Sequence, residues 1–216
     1  MTCPKVGLLS VTNSSKTVAT DLPFILASAS PRRLDLLAQI GLVPDLVLPA
    51  DIDEEPTVDE PPRAYALRMA TSKLEALQTS NPTAIILAAD TVVAVGRRIL
   101  PKTETEEEAR RCLNLVSGRR HQVLGAIAVA APNGKVRTRI IATVVKFKRL
   151  HQKEIDSYIE EGEWRGKAGG YAIQGSAAKF IPFISGSYTN VVGLSLPEAS
   201  TLLNAAMGAQ SDTTVS

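Results

Sequence analysis

Residues 28–33 read Ser-Ala-Ser-Pro-Arg-Arg and follow directly on the apolar run Phe24-Ile25-Leu26-Ala27. The run predicts a short buried strand. Ser30 is of a type that caps helices, and Pro31 suits a first helical position, where a missing N–H costs nothing. The segment therefore reads as strand, tight turn and helix. Free N–H groups and the positive end of a helix dipole favour an anion, and Arg32 and Arg33 add two permanent charges with the forked geometry that grips phosphate. The alternative is a capped helix with a solvated basic first turn. Cations carry the wrong sign for a helix N-terminus unless an anion offsets them, which favours a polyphosphate pocket.

The acidic turn Asp51-Ile52-Asp53-Glu54-Glu55 is, taken alone, most simply a solvated turn. Beside a phosphate pocket it gains a second reading, because hard divalent cations bridge a few carboxylates to substrate phosphates. Asp90 supplies a further carboxylate. With Thr91 it interrupts the apolar run Ala84–Ala89, which resumes at Val92–Val95, and an acid between two buried segments is expensive unless it has a partner or a task. Lys73 and Lys102 have a plain reading as solvated lysines. Lys102 follows Arg98-Ile99-Leu100 in an expected turn, from which an ammonium can reach a phosphate. Lys167–Gly175 is too glycine-rich for a regular element, and glycine lets backbone approach a ligand closely. Within it, Gln174 offers both donor and acceptor, as reading a base edge requires; a packed turn without ligand is an equal reading. His121 and His151 are not spaced as metal ligands, and nothing nearby resembles a nucleophile triad, so both are read as structural.

The chain that must position these groups has 216 residues, enough for a sizeable core, and its 44% apolar and 21% charged composition is that of a soluble globular protein. A net charge of +2 without an aromatic-interleaved basic stripe argues against a nucleic acid polymer as partner. Cys3 and Cys112 lack metal-ligand spacing, which fits a reducing cytoplasm. No apolar run approaches the roughly 20 residues needed to span a bilayer, so no membrane partner is expected. Residues 1–20 and 208–216 are expected to be a loose extension and a flexible tail around a single domain, 21–207.

Periodicity predicts a first helix ended by Gly41, a strand at Leu46–Leu48, a helix over Pro62–Gln78 and a strand at Ala84–Ala89 covered on both faces. A helix capped by Thr105 runs to Val116. Two long strands, His121–Ala130 and Val136–Phe147, are joined by the hairpin signature Pro132-Asn133-Gly134. Helices over Lys153–Glu161 and Leu196–Met207 complete the α/β pattern. The loops at 28–33, 51–55, 90–91, 101–102 and 166–175 are expected to face one cleft.

Leu26–Arg33, Asp51–Glu54, Ala89-Asp90-Thr91-Val92, Lys167–Gly175 and Gly186–Leu194 together resemble, in order, the motifs of the Maf family of nucleotide pyrophosphatases. The resemblance runs from about Phe24 to Leu203. It implies a mixed twisted sheet with flanking helices in two lobes around a deep cleft, similar to inosine triphosphate pyrophosphatases. It also implies hydrolysis of a nucleoside triphosphate between the α and β phosphates with a divalent metal cation (Mg, Mn or Co), in an enzyme that is often a homodimer. By the same resemblance, Asp90 is the proton acceptor, Arg32, Thr91 and Gln174 set substrate preference, Ser28, Arg33, Lys73 and Lys102 bind substrate phosphate, and Glu54 joins Asp90 as metal ligand. The branch resembling 7-methyl-GTP pyrophosphatases carries tryptophan at the place of Arg32, glutamine at that of Thr91 and glutamate at that of Gln174; this chain is similar to the dTTP/UTP branch at all three. It departs from the family pattern at Pro101-Lys102-Thr103, where Lys-Pro order is usual, and at Ser195, where proline is customary. A nucleotide-binding regulator of cell division, acting in septum formation, is the alternative from another class.

Overall fold

The structure, a computed structural model, describes residues 22–208, so the expectations for residues 1–20 and 209–216 lie outside the described residues. In chain order the elements are β1 (Phe24–Ala27), α1 (Pro31–Gln39), β2 (Leu46–Val47), α2 (Pro62–Gln78), β3 (Ile85–Val95), β4 (Arg98–Leu100), β5 (Lys102–Thr103), α3 (Glu106–Val116), β6 (Arg120–Ala130), β7 (Val136–Lys146) and α4 (Gln152–Glu161). After these come β8 (Lys167–Ala168), a 3₁₀ turn (Ser176–Phe180), β9 (Phe183–Ser185), α5 (Tyr188–Val192) and α6 (Leu196–Met207). The main sheet has the order β2-β1-β3-β6-β7-β9, with β4 also on β3. β1 is parallel to β2 and β3, and the other pairs are antiparallel, which makes the sheet mixed.

The period-2 alternation of a strand sends successive side chains of β3 to opposite faces. Ile85, Leu87, Ala89 and Val93 pack into one core with Leu36 and Leu37 of α1 and Leu202 and Leu203 of α6. Ile86, Ala88 and Val92 pack into a second core against Ala66, Ala70 and Leu74 of α2. This two-sided burial is why the run reads as continuous apolar sequence. The surface under α2 is alanine-rich, with Ala88, Ala126, Ala128 and Ala130 facing Ala66 and Ala70, and small side chains let the helix lie close to the sheet. Local signals hold at the ends of elements. Thr105 Oγ1 accepts from the Glu108 N–H at 3.3 Å while the Glu108 carboxylate accepts from the Thr105 N–H at 3.3 Å, a capping box worth about 1 kcal/mol. Gly41 takes φ +73° where α1 ends, a conformation glycine adopts without steric cost.

Three expectations need correction. Asp90-Thr91 is not a break: β3 runs through it unbroken, with Asp90 opposite Ala126 and Thr91 opposite Gly125 of β6. The interruption lies on the other edge. There β1 pairs only as far as Ala27 with Ala88, and β4 ends at Leu100 opposite Val93, so residues 89–92 have no strand beside them on that side. Lys102 lies in β5 rather than in a turn, and β5 pairs with β8 inside the segment expected as pure loop; Lys102 stands opposite Ala168. Ser30 occupies the cap position of α1 but its hydroxyl makes no cap. Instead the Ser30 N–H donates to Ser28 Oγ at 3.2 Å.

Candidate active site

The gap beside residues 89–92 opens into a pocket of about 340 Å³. Ser28, Arg32 and Arg33 reach it from the turn into α1 and from its first turn, and Asp90 and Thr91 from β3. Glu54 comes from the segment before α2, Lys73 from α2, Lys102 from β5 and Gln174 from the turn after β8. The nine residues to which the family resemblance gives a role thus meet at one place. Asp51, Asp53 and Glu55 do not: all three are exposed outside the pocket, and Asp53 Oδ1 accepts from the Glu55 N–H at 2.9 Å, so of that acidic turn only Glu54 lines the wall.

Because β3 alternates, Asp90 faces α2 and Thr91 faces α1. On the α2 side, Lys73 Nζ lies 2.7 Å from Asp90 Oδ1 and 2.7 Å from Glu54 Oε1, while Lys102 Nζ lies 2.5 Å from Glu54 Oε2. The result is an alternating chain of two carboxylates and two ammonium groups, buried at Asp90 and open to solvent at Lys102. Burial raises the Glu54 carboxyl, but the hydrogen bonds from Lys102 and Lys73 outweigh it and hold the group at about 2.

On the α1 side, Arg33 is buried and anchored. Its Nε donates to the Gly193 carbonyl at 2.9 Å, one terminal nitrogen to Ser28 Oγ at 2.8 Å and the other to Thr91 Oγ1 at 3.3 Å. Thr91 Oγ1 in turn donates to the Gly193 carbonyl at 3.2 Å. Of the five N–H donors of a guanidinium, three are thus committed to the protein and two remain for an anion. Burial lowers the Arg33 guanidinium, Asp90 raises it, Arg32 lowers it and Glu54 raises it, so the neighbouring carboxylates offset part of the desolvation. Arg32 donates from Nε to the Val192 carbonyl at 3.2 Å. Gln174 is exposed at the wall, and the turn that follows it is held by Glu163, whose Oε2 accepts from the Ser176 N–H at 2.8 Å.

Two pocket residues, Lys167 and Gly193, carry no role in the sequence analysis. Lys167 lines the pocket, and burial, then Arg32, lower its ammonium against the opposing pull of Glu163. The signal available for it was a cation opening a glycine-rich turn. Gly193 contributes a carbonyl, which no side-chain pattern reveals. Both histidines are structural: His121 is buried with its Nε2 2.8 Å from the Tyr171 hydroxyl, and His151 is exposed at the start of α4.

The Lys73 ammonium lies between one oxygen of Glu54 and one of Asp90, so the two carboxylates already face a single cationic centre. Among the described residues there is no group of three or more His, Cys, Asp or Glu side chains suited to a metal. Two carboxylates with the remaining ligands drawn from phosphate and water is the donor set Mg²⁺ takes.

The family model described as Maf-like protein matches residues 23–206. A protein of Caulobacter vibrioides named dTTP/UTP pyrophosphatase is 57% identical over 180 residues, 83% of this chain and 93% of that protein. Those of Rhodospirillum rubrum and Maricaulis maris, with the same name, are 57% and 60% identical over 84% and 83% of this chain and 86% of each relative. Among solved structures, a nucleoside-triphosphatase (dITP/XTP pyrophosphatase) of Mycobacterium abscessus has a TM-score of 0.39 at 16% identity, covering 60% of this chain and 74% of its own, a likeness too loose to bear on function. With a family match spanning the whole stretch from β1 to α6, and relatives more than half identical along it, the chain belongs to the Maf family.

Proposed function

We propose that this protein is a metal-dependent nucleoside triphosphate pyrophosphatase that hydrolyses dTTP and UTP to the monophosphate and pyrophosphate. The observation that carries the reading is Asp90: a buried carboxylate in mid-strand, opening into a pocket whose charged lining is cationic apart from Glu54, is a poor feature of a binding module and a good one of a hydrolase. The relatives' shared name supplies the substrates, and Arg32, Thr91 and Gln174 are the residues we assign to base preference.

Phosphoryl chemistry asks mainly for positioning and charge neutralisation. Arg33, Lys73 and Lys102 place three positive charges around the pocket, and Ser28 holds one terminal nitrogen of Arg33 in line. Asp90 accepts a proton from water as the water oxygen bonds to phosphorus; the α–β anhydride bond breaks and its electrons leave with pyrophosphate. A divalent cation held by Glu54 and Asp90 would supply further neutralisation of the phosphate oxygens. When substrate enters, Lys73 and Lys102 have phosphate oxygens to exchange for carboxylates, so the paired chain serves as a store of charge. We place the enzyme in the cytoplasm, with a nucleotide rather than a polymer as partner; a homodimer is what the family resemblance implies. Among the described residues no helix is long and apolar enough to cross a membrane.

The test is pyrophosphate release from dTTP, UTP, CTP, GTP and 7-methyl-GTP with Mg²⁺, Mn²⁺ or chelator, for the wild type and Asp90→Asn. Metal-dependent release from dTTP and UTP that falls at least ~100-fold in the variant is the expected result. Nucleotide binding without release from any substrate would move the assignment to a regulatory binder.

A further inference from the structure

Glu54 sits in a stretch, residues 48–61, that contains no helix or strand, yet its carboxylate is held between Lys73 and Lys102. Irregular backbone of that length does not place a side chain by itself, because each unfixed residue retains conformational freedom worth about 1–2 kcal/mol. Two side chains of α2 grip this stretch by its main chain. The Tyr65 hydroxyl donates to the Glu54 carbonyl at 2.7 Å, and a terminal nitrogen of Arg68 donates to the Glu55 carbonyl at 3.0 Å. The same Arg68 is itself clamped at both carboxylate oxygens of Glu60, from Nε at 2.8 Å and from the terminal nitrogen at 2.7 Å. Glu60 Oε2 also accepts from the Thr57 N–H at 3.1 Å, and the Arg68 guanidinium lies 5.5 Å from the centre of the Tyr65 ring. Tyr65 and Lys73 lie eight residues apart on one helix, two i,i+4 steps along one stripe. One helix thus holds Glu54 twice, by its carbonyl and by its carboxylate.

We infer that Tyr65, braced by Arg68, is a positioning residue for the reaction: it fixes the main chain at Glu54 so that the carboxylate stands opposite Asp90. The inference rests on the role assigned above to Glu54. Tyr65 touches neither substrate nor metal in this role; it acts through the order of one loop residue.

The experiment compares wild type, Tyr65→Phe, Arg68→Gln, Glu54→Gln and the double variant Tyr65→Phe/Glu54→Gln. Steady-state dTTP hydrolysis is measured together with Mn²⁺ binding in the presence of a non-hydrolysable α,β-methylene dTTP, a readout independent of turnover. Tyr65→Phe is expected to lower kcat and Mn²⁺ affinity each by about 10-fold, the usual scale for a group that orients a metal-site ligand, with KM for dTTP unchanged. Arg68→Gln is expected to move the same two quantities in the same direction. In the Glu54→Gln background the Tyr65→Phe loss is expected to disappear, because the route it acts through is gone. Wild-type kcat and Mn²⁺ affinity in Tyr65→Phe, beside a Glu54→Gln variant that has lost both, would overturn the inference and leave the function intact. An equal loss in both backgrounds would also overturn it, since Tyr65 would then act elsewhere. A Glu54→Gln variant with normal kcat and normal Mn²⁺ affinity would remove the assigned role of Glu54, and this inference with it.

Discussion

Lys73 Nζ and Asp90 Oδ1 lie 2.7 Å apart, with only 10% and 9% of the two side chains exposed, where an alanine-floored helix meets the middle of a seven-stranded sheet. Both charges are largely withdrawn from solvent; Lys73 has a second carboxylate at Glu54, whereas the ammonium of Lys73 is the one ion-pair partner the described residues give Asp90. Removing one partner of a buried pair leaves the other uncompensated, at a cost of about 3–5 kcal/mol. Lys73→Met is therefore expected to lower stability by that order, seen as a reduced urea midpoint, whereas Asp90→Asn leaves Lys73 a carboxylate at Glu54 and an amide oxygen and is expected to melt within a few degrees of wild type. Equal destabilisation by both variants would show that Glu54 does not hold Lys73 in the absence of Asp90.

Base preference is assigned to a residue whose main-chain tether is visible. With Nε donating to the Val192 carbonyl, Arg32 can turn its remaining N–H donors into the pocket. Arg32→Trp keeps a flat group and deletes those donors. The expected outcome is a fall of at least ~10-fold in the ratio of kcat/KM for dTTP to that for GTP, because hydrogen-bonded recognition discriminates more sharply than apolar contact. An unchanged ratio would take Arg32 out of specificity and leave it a phosphate contact.

A pH effect follows from His121, which burial lowers from 6.5 to about 4. Between those values the unfolded chain takes up a proton that the folded one excludes, so stability is lost as pH falls from about 6.5 towards 4, and it levels off below. At about 1.4 kcal/mol per pH unit the loss is about 3 kcal/mol. His121→Phe keeps the ring packing against Phe147 and Tyr171 but strips the Tyr171 hydroxyl of its partner. It is expected to be less stable at pH 8 and to have a flatter profile between pH 6.5 and 4, as urea midpoints across that range would show. A profile parallel to wild type would assign the slope to other groups.

The kinds of element and the kinds of chemistry were legible in the chain. The helix over 62–78, the capping box at Thr105 and the hairpin at Asn133-Gly134 are local: periodicity, caps and turns act within about four residues of the chain, so adjacent letters carry them. The cost of burying an acid likewise marks Asp90 from its apolar neighbours in the chain. Tertiary structure alone decided how these pieces face one another. Asp90 and Thr91 look to opposite sides of one unbroken strand because β6 continues beside them while β1 and β4 do not. The Gly193 carbonyl anchors Arg33 from 160 residues away, and Lys102 reaches Glu54 across 48. Gly125 leaves the space that Asn190 fills, since a Cβ there would stand 1.8 Å from Asn190 Oδ1. Such pairings depend on sheet order and on where neighbouring strands stop, and these are properties of long-range packing that no window of sequence contains.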